Sequence, residues 1–213
     1  MIKLLTNRYT YGISLILAGL LFTAQNFGLI PNSGYIWAGI LGVYGLLFLV
    51  VFVSERKHWW AAFPAFALLG ITLIILLETV FNVEGDWTGA VFMIMLGLGF
   101  WAVYLRSPEN WWAVIPGGAF FSIALVVTLE FLITEPGFIE IGGVFLLGLG
   151  LTFMILFFLP KSRGRQRWAI WPGASLLVVG GLTTAAATDL MQYIWPVFLI
   201  LLGIGLIVRN LSR

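Results

Sequence analysis

Between residues 59 and 77 the chain reads WWAAFPAFALLGITLIILL, nineteen residues without a single charge. A helix rises about 1.5 Å per residue, so this stretch would extend ~28 Å, close to the hydrocarbon thickness of a bilayer. Apolar runs of this length are typical of transmembrane helices rather than of helices in soluble proteins. The stretch therefore predicts a membrane span.

Similar uncharged stretches recur along the chain. The longest of them, 9–54, is too long for one span, and the polar residues Gln25-Asn26 and Pro31-Asn32-Ser33-Gly34 divide it into two. The remaining stretches cover residues 87–105, 111–129, 141–160, 168–188 and 190–208. We therefore predict an all-α, polytopic membrane protein with eight transmembrane helices.

Composition excludes an ordinary soluble domain. Hydrophobic residues make up 61% of the 213 residues and charged residues only 9%, with a mean hydropathy of +1.05. Soluble proteins are roughly a quarter charged. The chain has no Cys and one His, His58, so it lacks the side chains for a disulfide framework, a thiolate metal site or a haem. We predict no catalytic residue, no metal and no cofactor.

The charges divide between the two ends of the predicted spans. All eleven basic residues fall in loops on one side of the predicted membrane. The loops on the opposite side contain acidic residues but no Lys or Arg. The acidic set comprises Glu84, Asp86, Glu135, Glu140 and Asp189. By the positive-inside rule, both termini are predicted to be cytoplasmic, in a bacterial-type plasma membrane.

The spans form a repeat of about fifty residues. Three of them begin with a Trp–Pro pattern: Trp60 with Pro64, Trp112 with Pro116 and Trp168 with Pro172. The alternate spans carry Leu-Gly pairs, with glycines at positions 42, 97, 148 and 203. These patterns predict one transmembrane domain, 1–213, made of four parallel helical hairpins at approximately 9–54, 58–106, 110–160 and 167–209.

Two stretches carry a family resemblance. GISLILAGLLFTAQNFGLIP (residues 12–31) and WPVFLILLGIGL (residues 195–206) resemble the small hairpin modules of the LiaI/LiaF-like bacterial transmembrane family. The resemblance implies membrane-embedded hairpins, and in some members a role in envelope-stress signalling. Arg213 directly follows the last predicted span, so we expect the soluble domain of the signalling members to be lacking.

Two acidic residues lie at the outer ends of predicted spans, directly after the uncharged stretches 59–77 and 111–129. Glu78 and Glu130 each follow the proline of their repeat by fourteen residues (64 to 78 and 116 to 130), and Asn26 is the approximate equivalent in the first hairpin. One interpretation is a carboxylate at the membrane interface, or a hydrogen bond to Thr79, Thr128 or Thr134. The other is that Glu78, Glu130 and Asn26 converge on an ion or polar site, because ionisable residues within spans are costly.

A basic run, Lys161, Arg163, Arg165 and Arg167, lies beside a predicted span. Such a run is attracted to anionic lipid headgroups and sets topology. Nucleic-acid binding is not expected, because the net charge is only +2.

These observations predict a non-enzymatic accessory or scaffold protein of the bacterial envelope. It would work through helix–helix contacts, with the lipid bilayer, other membrane proteins or a second copy as its partners. The alternative is a small carrier or channel in which Glu78 and Glu130 form an outer-leaflet ion or proton site.

Overall fold

Every regular element in the part of the chain that the structure describes is a helix. The computed structural model describes residues 8–30, 34–81, 85, 87–133, 141–159, 166–187, 196, 197, 199 and 200. Seven α-helices lie in these ranges: α1 (Arg8–Asn26), α2 (Gly34–Ser54), α3 (Ala62–Val80), α4 (Thr88–Arg106), α5 (Val114–Leu132), α6 (Ile141–Phe158) and α7 (Ile170–Ala187). The predicted all-α class is confirmed for these residues.

Five helical stretches are long and apolar enough to cross a membrane, consistent with a helical membrane protein. They are Gly34–Ser54, Arg56–Val80, Thr88–Arg106, Trp111–Leu132 and Arg167–Ala185. Helix α6 is apolar but shorter, and α1 is not among the five. The predicted span 190–208 lies outside the described residues except at four positions, so the count of eight stays a prediction.

The predicted Trp–Pro patterns begin three of the helices. A 3-10 turn, at Arg56–Ala61, Trp111–Ala113 or Arg167–Ala169, precedes α3, α5 and α7 respectively. Each turn ends on an alanine that is 0% exposed, and each helix has proline as its third residue. Amides of the first helical turn have no intrahelical acceptor, so proline removes no hydrogen bond there. We call the end of each unit that carries these turns its tryptophan end.

The chain forms two compact units, Met1–Gly85 and Asp86–Arg213. In the first unit, α2 packs along α3, and the Tyr35 hydroxyl donates to the Thr79 carbonyl oxygen over 3.1 Å. Helix α1 is joined to α2 by the Trp37 indole, whose Nε1 donates to Gln25 Oε1 and whose ring centroid lies 4.5 Å from that of Phe22.

The predicted polar turn between α1 and α2 begins with a glycine end cap. Gly28 has a φ of 69°, its amide donates to the Gln25 carbonyl, and the Leu29 amide donates to the Ala24 carbonyl. This pair of bonds is the Schellman arrangement, which satisfies carbonyls that the helix end leaves without partners. The turn therefore ends α1 at the place that the polar residues predicted.

In the second unit, α4, α5, α6 and α7 pack in chain order, each against the next. Many of the buried residues between them are small, and Leu156, Val103 and Val114 are the largest that are fully buried. The unit boundary at Gly85 falls inside the predicted hairpin 58–106. The four hairpin boundaries stay predictions.

Candidate functional site

Glu78 and Glu130 occupy equivalent places at the ends of their helices. Glu78 lies two residues before the end of α3 at Val80, and Glu130 lies two residues before the end of α5 at Leu132. Both side chains are exposed. Both therefore lie at the end of the helix opposite the tryptophan end.

This placement is electrostatically unfavourable for a carboxylate. The C-terminal end of a helix carries partial negative charge, which disfavours an anion there by about 0.3–1 kcal/mol. Within the described residues, neither Glu78 nor Glu130 makes a hydrogen bond or an ion pair. The neighbouring Thr79 and Thr128 hydroxyls donate instead to carbonyls of their own helices, those of Ile75 and Ala124. Thr134 lies outside the described residues.

Asn26 is the last residue of α1 and is exposed. The adjacent Gln25, rather than Asn26, makes the contact with Trp37. Asn26 and Glu78 belong to the first unit and Glu130 to the second. The convergence of these three residues on one site therefore stays a prediction.

The predicted headgroup-binding cations are described only at Arg167. It is exposed in the 3-10 turn before α7, and the next residue, Trp168, donates from its indole nitrogen to Gln166 Oε1 over 2.9 Å. The Trp168 ring also lies 6.1 Å from that of Trp111. Lys161, Arg163 and Arg165 lie outside the described residues. An exposed cation beside indole rings suits a membrane interface.

His58 lies in the 3-10 turn before α3. Its Nδ1 is 3.6 Å from Glu55 Oε2, and its ring meets the Trp60 ring edge-on at 6.5 Å. Among the described residues, no three His, Asp or Glu side chains are grouped as metal ligands.

Helices α5 and α6 interlock through a reciprocal exchange of glycines and hydroxyls. A Cβ on Gly118 would collide with the Thr152 side chain, and a Cβ on Gly148 would collide with Ser122. Each hydroxyl residue follows a glycine of its own helix by four positions (118 to 122 and 148 to 152). The Ser122 and Thr152 hydroxyls donate to the carbonyls of those same glycines, over 2.8 and 2.9 Å. Both side chains are only 4% exposed.

Helices α6 and α7 approach even more closely, backbone against backbone. A Cβ on Gly180 would lie 2.8 Å from the Leu147 amide nitrogen and 3.0 Å from the Gly143 carbonyl oxygen. Seven residues away on each helix, a Cβ on Gly150 would lie 3.1 Å from the Gly173 carbonyl oxygen. Small residues allow this approach in membrane helices, where packing rather than water exclusion drives association.

A groove of about 210 Å³ lies over α5, between α4 and α6. Its rim residues Leu125, Leu151 and Ile155 are 47%, 55% and 42% exposed, so the groove opens sideways. The residues that line it are Trp101, Gly118, Phe121, Ser122, Leu125, Gly148, Leu151, Thr152 and Ile155. This groove was not predicted from the sequence. The signal available was the hydroxyl residue four positions after a glycine on two successive spans.

No family model, no curated protein and no solved structure matches the chain. The resemblance to the LiaI/LiaF-like family therefore stays a prediction.

Proposed function

We propose that the chain is a non-enzymatic membrane protein that serves as an accessory or scaffold protein. Its helices would contact those of other membrane proteins or of a second copy, as the LiaI/LiaF-like resemblance implies. The observation that carries this proposal is a set of helical glycines that, among the described residues, no neighbouring side chain or backbone approaches.

Glycine in a helix costs about 1 kcal/mol relative to alanine, and membrane helices use it where another helix approaches closely. Glycines of α2 and of α4 to α7 are used in this way. Five others lie on open helix faces, where a Cβ would have no described neighbour within 4 Å; they are Gly12, Gly19, Gly39, Gly142 and Gly181. These open glycines support a role in contacts with further helices, because each offers a place where another helix could approach closely.

The pair on α1 offers the sharpest test. Gly12 and Gly19 are seven residues apart and so share one helix face. We expect chemical crosslinking in native membranes to capture a partner or a second copy of the wild-type chain. Gly12→Leu combined with Gly19→Leu should lower that yield roughly tenfold, the effect of about 1.4 kcal/mol.

The matched control places the same bulk on an adjacent face of α1. Ile13 and Leu20 are also seven residues apart and are 58% and 62% exposed. Ile13→Phe combined with Leu20→Phe should leave the crosslinked product unchanged. A wild-type chain that stays strictly monomeric in native membranes would exclude the scaffold function.

The proposed architecture has eight spans in four parallel hairpins, with both termini cytoplasmic in a bacterial-type plasma membrane. Three helix entries with the same turn, buried alanine and proline support the repeat, and the one-sided cations support the orientation. Because the chain has no Cys, single thiols report sidedness. Glu84→Cys should react with an impermeant thiol reagent on intact cells, and Glu109→Cys only after lysis.

The second candidate is a small carrier or channel that uses Glu78 and Glu130 in the outer leaflet. Two carboxylates at unfavourable helix ends, without described partners, favour it, since such placement calls for a compensating cation or proton. Neither residue lines the groove of the second unit. Glu78→Gln combined with Glu130→Gln should abolish proton or cation flux into vesicles, and unchanged flux would reject this candidate.

A further inference from the structure

The lateral groove of the second unit has an apolar rim at a defined depth. Ser122 on its floor is eight residues from the start of α5, or ~12 Å from the tryptophan end. Thr152 is six residues before the end of α6, or ~9 Å from the same end. In a chain whose helices are long enough to cross a bilayer, this depth lies within the hydrocarbon layer. In a bilayer, a groove at this depth would face acyl chains rather than headgroups or water.

The floor of the groove has no free hydrogen-bond donor in its hydroxyls. Ser122 and Thr152 both donate to carbonyls of their own helices, so their protons are already used. A polar ligand in this groove would lose hydrogen bonds with water and would gain no donor from these two residues. The indole nitrogen of Trp101 has no hydrogen-bond partner among the described residues, but it is buried beside Gly117 and has no accessible surface in the groove. A hydrocarbon chain has no such bonds to lose.

The size of the groove agrees with that chemistry. An apolar cavity of about 150 Å³ lined by Leu, Ile and Phe is enough to hold benzene. The groove has a volume of about 210 Å³ and walls of Leu151, Ile155, Phe121 and Trp101. It has room for a hydrocarbon segment longer than a benzene ring, and its open side would let the rest of an acyl chain extend out of the groove.

We propose that this groove is a binding site for one phospholipid acyl chain from the leaflet at the tryptophan end. The acyl chain lies over Ser122 and Thr152, between Trp101 and Ile155. Its occupancy differs from ordinary lipid contact because the hydrocarbon would contact α5 beneath it, α6 along one side and Trp101 of α4 on the other.

The test is photolabelling of the full chain in vesicles of phosphatidylcholine and phosphatidylglycerol. The probe is phosphatidylcholine with a diazirine midway along one acyl chain, and labelled residues are mapped by peptide mass spectrometry. The reference residues are Val178, Val179 and Leu182 of α7, which are 62%, 51% and 44% exposed, about as exposed as the rim. The rim should be labelled roughly fivefold more per residue, the ratio given by about 1 kcal/mol of added burial.

Filling the groove should remove this difference. Leu125→Trp places an indole in the groove and should lower labelling of Leu151 and Ile155 to the level of α7. Leu98→Trp is the control, because Leu98 is a similarly exposed leucine of α4 (42%) that does not line the groove. If Leu125→Trp does not fold, Ile155→Trp serves the same purpose from α6. Equal labelling of the rim and α7 in the wild-type chain would overturn the proposal, as would unchanged rim labelling in the filled variant.

A second copy is the competing occupant. Ile155→Cys introduces the only thiol of the chain at the rim. Efficient disulfide dimerisation of this variant in membranes would show that another protein copy covers the groove, and would overturn the acyl-chain assignment. An unreacted monomer, together with strong photolabelling, is the expected result.

Discussion

The α6–α7 pair and helix α1 use glycine in opposite surroundings. In the pair, Gly143 and Gly180 face each other so closely that a Cβ on either would meet backbone atoms of the other helix. On α1, Gly12 and Gly19 have no described neighbour. In the α6–α7 pair, glycine allows the two backbones to pack in direct contact. On α1, the glycines leave a surface against which no described residue packs. Glycine content alone therefore indicates where helices are able to approach, not which of them do.

The largest effect should come from adjacent glycines of α7. Gly180→Leu forces α6 and α7 apart and should lower the free energy of unfolding by about 3 kcal/mol, the upper range for overpacking. Gly181→Leu, one residue further, enters open space and should instead raise the free energy of unfolding by up to about 0.8 kcal/mol, because leucine favours helix more than glycine does. Unfolding by sodium dodecyl sulfate in mixed micelles, followed by circular dichroism, measures both. Equal losses in the two variants would show that the α6–α7 contact is not the tight one.

An intermediate effect is expected where glycine meets a hydroxyl residue. Gly148→Ala should cost about 1.5 kcal/mol, because the new methyl group collides with Ser122. Adding Ser122→Ala removes the nearest atom, Oγ, and should recover part of this cost, with a coupling energy of about 1 kcal/mol.

The control for this cycle is a hydroxyl elsewhere. Thr183 donates to the Val179 carbonyl in the same way but lies on α7. Thr183→Ala should add to Gly148→Ala independently, within about 0.5 kcal/mol. Additivity of Ser122→Ala with Gly148→Ala would contradict the interlock.

The smallest effects are expected at α1 and its end cap. There, two glycine substitutions should change the stability of the helix in opposite directions. Gly28→Ala forces alanine into left-handed backbone and should destabilise the end of α1 by about 1 kcal/mol. Gly12→Ala lies within the helix on an open face and should stabilise α1 by a similar ~1 kcal/mol. Hydrogen exchange of the α1 amides should be faster in the first variant and slower in the second. Slower exchange in Gly28→Ala would mean that its end cap does not hold the helix.

The same comparison explains what could be predicted from the amino-acid order. Helix positions follow from local chemistry: the predicted span 87–105 differs by one residue at each end from α4 (Thr88–Arg106), and the Trp–Pro pattern begins α3, α5 and α7. Whether a glycine is covered depends on the neighbouring helix. In the adjacent pairs Gly142-Gly143 and Gly180-Gly181, only Gly143 and Gly180 closely approach the neighbouring helix. Similarly, the end positions of Glu78 and Glu130 follow from counting residues, whereas their convergence depends on how the two units are arranged.

The hydroxyl groups of the second unit bear on how the protein is made. Ser122, Thr152 and Thr184 each donate to a carbonyl of their own helix, over 2.8 to 2.9 Å. Placing a hydroxyl group in hydrocarbon without a hydrogen-bond partner costs free energy. These three hydroxyl groups avoid that cost because their acceptors belong to the same helix. Each helix is therefore ready to leave the translocation channel for lipid before its neighbour has been synthesised. Insertion and assembly can then be separate stages, and in the second stage the close glycine contacts between α5, α6 and α7 form.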